Sequence, residues 1–140
     1  MCENVERYDT SLSAYSFACG REDGQADLRY VPGRLSVSSV VPRADRTSSV
    51  RVPVRRLDEL VGEAGLEHID LMKIDVEGVE MEVLEGATRV LPSVRRVVME
   101  VDSDRAEEVE HALGDFGFRR AARRSGMWDL PQATIICLEQ

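Results

Sequence analysis

The stretch from Ile69 to Leu91 constrains the fold more than any other part of the chain. Residues 69–75 read IDLMKID, an apolar run bounded by charges, which is typical of a strand buried on both faces of a parallel sheet. Residues 79–91 follow with apolar side chains at helical spacing, and Pro92 ends that helix. A buried strand leading into an amphipathic helix is half of a βαβ unit, so this segment predicts an α/β protein.

Similar elements flank this unit on both sides. Strand-like runs cover 11–20, 26–31, 50–54, 94–101, 118–122 and 133–138, and helical periodicity covers 57–65 and, with Ser103 as N-cap, 103–113. The Pro-, Gly-, Ser- and Arg-rich segment 32–49 predicts a long variable loop. We therefore expect residues 1–140 to form one α/β layer with right-handed crossovers, closed by an antiparallel pair of carboxyl-terminal strands.

Composition narrows the class of protein. Of the 140 residues 43% are hydrophobic and 31% charged, which suits a globular chain rather than a disordered one. The net charge of −8 disfavours nucleic acid and anionic membranes as partners, and 5% aromatics argues against base stacking. A small arginine cluster at 119–124 fits a solvated hairpin, and Trp128 fits the packing of a chain reversal.

Cysteine usage and the amino terminus predict a cytoplasmic protein. Cys2, Cys19 and Cys137 are odd in number and show no C-x-x-C spacing, so a disulfide framework or zinc knuckle is not expected. No apolar run approaches the ~20 residues that span a bilayer. The first residues show no basic region followed by an apolar stretch, so we expect no export signal.

Two predicted strand ends are rich in carboxylates, one at Asp75 and Glu77, the other at Glu100 and Asp102. Ligands of open α/β sheets bind beyond the carboxyl ends of strands. On periodicity alone, a helix-capping role for Asp75 and solvent exposure for Glu80 are the better interpretations. Converging carboxylates would also suit Mg²⁺ or Ca²⁺, but the chain has no spaced D-x-D-x-D loop and no metal ligand is assigned.

Lys73 is the only lysine in the chain, beside 17 arginines. It lies within a run that otherwise predicts full burial, where an ammonium group needs a partner or loses its proton. Lys73 can therefore orient Asp75, two residues later, or polarise a substrate oxygen. Extension of its side chain to the sheet edge is an equally good interpretation.

Three stretches resemble the FkbM family of S-adenosylmethionine-dependent methyltransferases: VPVRRLDELV (52–61), IDLMKIDVEGVEMEVLEGA (69–87) and VRRVVMEV (94–101). The specific marker is KIDVEGVE, from Lys73 to Glu80, and the resemblance covers about 11–138. It implies a class I, Rossmann-like methyltransferase sheet with an antiparallel final strand. It also implies transfer of a methyl group from S-adenosylmethionine to a hydroxyl of a small molecule, such as a sugar or polyketide.

The resemblance also implies roles for site residues. Asp75 or Glu77 would be the catalytic base or orient the acceptor, and Lys73 would position them. Asp75 and Gly78 would lie against the donor. Glu100 would face the substrate from the neighbouring strand end.

The chain departs from this family in its amino-terminal part. It contains no G-x-G turn and no preceding strand–turn–helix to cradle the donor, so it looks like the carboxyl-terminal portion of such an enzyme. Two absent strands would lie between 13–20 and 69–75, leaving an open edge that invites a partner chain or a second copy. The alternatives are a non-catalytic remnant that pairs with another chain, and a carboxylate-rich cation-binding domain.

Overall fold

The computed structural model describes residues 13–42, 44, 47–126 and 133–140. Its strands are β1 (Ala18–Cys19), β2 (Gly24–Val31), β3 (Arg34–Ser39), β4 (Ser48–Arg55), β5 (Met72–Ile74), β6 (Arg96–Asp102), β7 (Arg119–Ser125) and β8 (Ala133–Glu139). Its helices are α1 (Leu57–Glu63), α2 (Glu80–Glu85) and α3 (Ala106–Gly114), with a short 3-10 helix at Leu91–Ser93. None of these helices has the length and apolar character that a membrane span requires.

The described strands form two four-stranded sheets, ordered β1-β4-β2-β3 and β5-β6-β8-β7. The pairs β1–β4 and β5–β6 are parallel, while β2 is antiparallel to β3 and β4, and β8 is antiparallel to β6 and β7. The predicted antiparallel carboxyl-terminal pair is confirmed. The predicted α/β class is confirmed, but the described strands form two sheets rather than one layer, because no described strand joins β1 to β5.

The predicted loop at 32–49 contains a hairpin strand, so that prediction is wrong for 34–39. Pro32 and Gly33 form the turn, and Gly33 takes a φ of 81°, which glycine adopts without steric cost. Beyond the turn β3 pairs with β2, with Val31 opposite Arg34 and Arg29 opposite Ser39. The sequence RLSVSS alternates as a strand does, but its serines and arginine hide the pattern.

The apolar core lies between the second sheet and helices α2 and α3. Strand β6 alternates buried and partly buried residues, as a half-covered strand does. The predicted inward face of α3 is confirmed, since Ala106, Val109 and Leu113 are fully buried. The predicted N-cap is wrong, because α3 begins at Ala106 with Arg105 as its N-cap; the Ser103 hydroxyl is hydrogen-bonded to that of Thr134 over 2.8 Å.

Helix α2 ends at Glu85, earlier than the predicted Leu91, and Gly86 follows as its C-cap. The end of β1 packs directly on this position. A Cβ atom built on Gly86 would lie 2.1 Å from the carbonyl oxygen of Gly20, far inside van der Waals contact. Only glycine permits this approach, so Gly86 fixes how the first sheet docks on α2.

Asp58 ties α1 to the segment after α2. Its side chain is fully buried and accepts hydrogen bonds from the backbone N–H groups of Arg89 (2.9 Å) and Val90 (3.1 Å) at Oδ1. The Arg56 guanidinium donates to Oδ2 at 2.9 Å. A buried carboxylate held by a cation and two amides is well satisfied, so α1 is anchored where it covers the end of α2.

Candidate functional site

Strand β5 is an edge strand of the second sheet. It pairs in parallel with β6, with Met72 opposite Val97 and Ile74 opposite Met99, and no other described strand pairs with it. The expectation of a strand buried on both faces is wrong for the part of the chain that the structure describes, because one face of β5 is exposed at Lys73. Only Ile74 is buried in β5, and its neighbour Lys73 is exposed.

Lys73 and Asp75 meet at the carboxyl end of β5. The Lys73 Nζ atom donates a hydrogen bond to Asp75 Oδ2 over 2.6 Å. Both side chains reach solvent, 61% exposed for Lys73 and 40% for Asp75, so the ion pair sits at a surface. The two interpretations of Lys73 thus coexist, because its ammonium is at the sheet edge and holds the neighbouring carboxylate.

The turn after β5 has an unusual backbone. Glu77 has a φ of 56°, and no other non-glycine residue in the described ranges has a positive φ. Gly78 follows with a φ of 108°. Side chains with a Cβ disfavour this left-handed region, so the turn must be held by its surroundings.

Three side chains from outside the turn hold it. The Ser39 hydroxyl donates to the Glu77 carbonyl over 2.6 Å. Glu80 Oε1 accepts from the Gly78 N–H at 2.7 Å, and Arg105 donates both to the Gly78 carbonyl (2.9 Å) and to Glu80 Oε2 (3.1 Å). The predicted solvent exposure of Glu80 is wrong, because its side chain is buried. Its carboxylate can be buried because the Arg105 guanidinium and the Gly78 N–H both bind it.

An apolar groove of about 250 Å³ opens beside the Lys73–Asp75 pair. Its lining comes from the end of β1, the start of α1, strand β5 with the two residues after it, and α2: Cys19, Leu57, Met72, Lys73, Ile74, Asp75, Val76 and Val83. Burial raises the pKa of the Cys19 thiol, which keeps it neutral. The groove therefore combines an apolar wall with one ion pair at its rim.

Glu100 lies on β6, next to this corner. The last pair of the β5–β6 register is Ile74 with Met99, and Glu100 is the next residue of β6. Glu100 is partly buried. In the described part of the chain, no group of three or more His, Cys, Asp and Glu side chains is close enough to hold a metal ion. The cation-binding alternative therefore gains no support from this geometry.

A family model, Methyltransferase FkbM domain, matches residues 2–121. The chain belongs to the FkbM methyltransferase family. The match includes the Lys73–Asp75 pair, the Glu77–Gly78 turn and the β6 strand end, so the corner described above lies inside the family domain.

Several curated relatives of this FkbM-family chain carry methyltransferase names. It is 43% identical over 51 residues to the 2-O-methyltransferase NoeI of Sinorhizobium fredii (36% of this chain, 21% of the relative). It is 29% identical over 101 residues to the hexuronic acid methyltransferase AglP of Haloferax volcanii (72% and 41%). It is 38% identical over 72 residues to the 31-O-demethyl-FK506 methyltransferase FkbM of Streptomyces tacrolimicus (51% and 26%).

The chain spans less than half of the length of each of these relatives. No solved structure matches it with significance.

Two residues of the FkbM-family corner carry no sequence signal of their role. Ser39 falls in the predicted variable loop, and no local pattern marks Arg105 as part of a site. Both are distant in sequence from the turn that they contact, 38 residues for Ser39 and 27 for Arg105. The sequence marks the turn itself through Gly78, but no local pattern identifies Ser39 and Arg105 as the residues that contact it.

Proposed function

We propose that this chain provides the acceptor side of an S-adenosylmethionine-dependent O-methyltransferase site, which acts on a hydroxyl of a small molecule such as a sugar or polyketide. The observation that carries the proposal is the Lys73–Asp75 ion pair at the carboxyl end of β5, beside an apolar groove, within the family domain. The names of two relatives, a 2-O-methyltransferase and a 31-O-demethyl-FK506 methyltransferase, support oxygen as the acceptor atom. The cytoplasm stays the predicted location.

Methyl transfer requires the protein to align the acceptor's hydroxyl with the donor and to remove one proton from that hydroxyl. When bound, S-adenosylmethionine supplies a methyl group activated by the sulfonium charge. Within this chain, Lys73 holds Oδ2 of Asp75, and Oδ1 is the oxygen that we assign to the acceptor's hydroxyl proton. We assign Glu77 as the second candidate for the base, and we assign Glu100, on β6, to orienting the acceptor.

The described residues fit one side of a donor site. The apolar lining of the groove suits the uncharged parts of S-adenosylmethionine, and the Lys73–Asp75 pair forms its polar rim. The sequence contains no G-x-G, so we identify no glycine-rich donor-binding loop in it. We therefore assign Asp75 and Gly78 to donor contact and derive no other donor-binding residue from this chain.

We also propose that strands from outside residues 1–140 pair with the edges of β1 and β5 and complete a class I sheet. The two outer edges of the second sheet support this, because they differ in character. Every residue of β7 is exposed and the strand carries four arginines, which protect an edge against pairing. At the other edge, Leu71 (57% exposed) precedes the partly buried Met72.

A chimera tests the proposed reaction. Residues 13–140 replace the equivalent part of AglP, and the purified chimera receives methyl-labelled S-adenosylmethionine and glucuronic acid as the probe acceptor. We expect saturable donor binding by calorimetry and label on a hydroxyl oxygen of the sugar by mass spectrometry. A chimera that is folded by circular dichroism and binds the donor, yet transfers no label, would instead favour the non-catalytic alternative.

Calorimetry on the unaltered chain tests the completion of the sheet. The 140-residue chain alone is expected to give no saturable heat with S-adenosylmethionine, since one wall of the site comes from elsewhere. Micromolar binding by the chain alone would contradict this part of the proposal.

A further inference from the structure

We infer that Ser39, Glu80 and Arg105 are positioning residues that fix the Glu77–Gly78 peptide group and thereby the orientation of the catalytic corner. This inference rests on the proposed function only for its consequence in catalysis. The geometry itself is independent of any ligand.

Both ends of one peptide group are held from outside the turn. The Glu77 carbonyl accepts the Ser39 hydroxyl, and the Gly78 N–H, on the same peptide plane, donates to Glu80. Rotation of this plane would change ψ of Glu77 and φ of Gly78 together and would break both bonds. The two contacts therefore act as one clamp on the turn.

Ser39 brings the first sheet to this clamp. Its side chain is buried, 2% exposed, and its hydroxyl oxygen also accepts the backbone N–H of Val41 over 3.0 Å. The hydroxyl is thus oriented as donor to Glu77 and acceptor from Val41. Val41 in turn lies 3.3 Å from where a Cβ on Gly78 would stand, so the segment after β3 packs closely on the turn.

Arg105 brings the second sheet to the same clamp. It stands at the N-cap of α3, just beyond β6, and its Nη1 atom contacts both the Gly78 carbonyl and Glu80. The guanidinium pairs with the buried Glu80 carboxylate, whose other oxygen accepts the Gly78 N–H. Residues at the end of β3 and beyond β6 thus converge on one strained turn, two residues after Asp75.

This convergence explains why a glutamate is tolerated at a left-handed position. The unfavourable φ of Glu77 requires compensation by its surroundings, and the clamp supplies three hydrogen bonds to the turn. Without the clamp, we expect the peptide group to rotate, which changes ψ of Glu77 and φ of Gly78, and the strained backbone around Glu77 to relax. The corner would then present different groups to the acceptor.

Amide exchange measured by NMR on the ¹⁵N-labelled 140-residue chain tests the clamp. Ser39→Ala should shift the Glu77 and Gly78 amide signals and speed Gly78 exchange by about tenfold, the loss of roughly one hydrogen bond. Ser39→Thr, which keeps the hydroxyl, should restore the exchange rate to within about twofold. Ser49→Ala, at an exposed serine on β4, is the matched control and should change neither signal.

The outcomes separate positioning from general stability. Core amides such as Val97 and Met99 should exchange as in the unaltered chain; if they speed up as much as Gly78, the effect is global and the inference is wrong. Unchanged Gly78 exchange in Ser39→Ala would overturn it, as would equal behaviour of the alanine and threonine variants.

The same variants in the chimera connect the clamp to catalysis. Ser39→Ala should lower kcat by about tenfold with little change in KM, because alignment rather than binding is lost. A chimera that transfers no methyl group at all would remove the proposed function, while the exchange data would still decide whether the clamp exists. Normal kcat in a chimera whose Gly78 exchange is accelerated would show that the clamp does not serve catalysis.

Discussion

Arg105→Gln is the substitution that we expect to weaken the contacts of the clamp most. Arg105 donates to the Gly78 carbonyl at 2.9 Å and to Glu80 Oε2 at 3.1 Å. The glutamine side chain is shorter and uncharged, so it leaves the buried Glu80 carboxylate without its cation. The change therefore tests whether this ion pair stabilises the turn.

The burial of the two partners sets the magnitude. Only 2% of the Glu80 side chain is exposed, against 29% for Arg105. Removing one member of a buried pair destabilises by about 3–5 kcal/mol. Because Arg105 is partly solvated and the Gly78 N–H still binds Glu80, we expect the lower end of this range, about 3 kcal/mol. Glu80→Gln in the same background should recover part of this loss, since no charge is then stranded.

Urea unfolding at pH 7, followed by circular dichroism, measures these free energies. Arg105→Gln should lower the midpoint without changing the slope of the transition. Arg51→Gln is the matched control, because its ion pair with Asp27 is exposed and should change stability by no more than about 0.5 kcal/mol. Equal, small effects of both substitutions would show that the Arg105–Glu80 pair does not stabilise the turn, as would strict additivity of the Arg105 and Glu80 changes.

Two further predictions concern the neighbouring packing and the groove. Gly86→Ala should lower the free energy of unfolding in urea by about 1–3 kcal/mol, because its Cβ would meet the Gly20 carbonyl. Gly114→Ala is the control and should be neutral or stabilising, since nothing lies within 4 Å of its Cβ position. Equal effects of the two substitutions would contradict the docking of β1 on α2. Because burial raises the pKa of the Cys19 thiol, the unfolded chain ionises first as pH rises. The contribution of the neutral Cys19 thiol to the free energy of unfolding is thus present below the ordinary thiol pKa of about 8.5, and it is lost as the pH rises above that value toward the raised pKa. The urea midpoints at pH 7 and pH 10 should therefore differ less in Cys19→Ala than in the unaltered chain.

Local sequence patterns predict the elements around the site well. The apolar run ending at Asp75 and the Gly78 turn are set by neighbouring residues, which is why the strand end and its acids are recognisable from the sequence alone. Strands β2, β4, β6, β7 and β8 and the inward face of α3 follow from local periodicity in the same way. The domain match confirms the family that the KIDVEGVE string indicated.

Local sequence patterns do not predict contacts between residues that are distant in the sequence. Periodicity places Glu80 toward solvent, but its burial depends on Arg105, which is 25 residues away. The predicted burial of Lys73 assumes that both faces of β5 are covered, whereas Lys73 is exposed on this edge strand of the described sheet. The hairpin strand β3 is hidden in the sequence because its polar composition resembles a loop, whereas its pairing with β2 decides its conformation.

Methyl transfer by the Asp75→Asn chimera decides whether Asp75 is the catalytic base. Asparagine keeps the shape of the side chain but cannot take the acceptor's proton, so kcat should fall by about 100-fold or more. Asp70→Asn, at a carboxylate that is 82% exposed just before β5, should leave kcat unchanged. Near-normal transfer by the folded Asp75→Asn chimera would contradict the account, because the corner would then hold no essential base at that position.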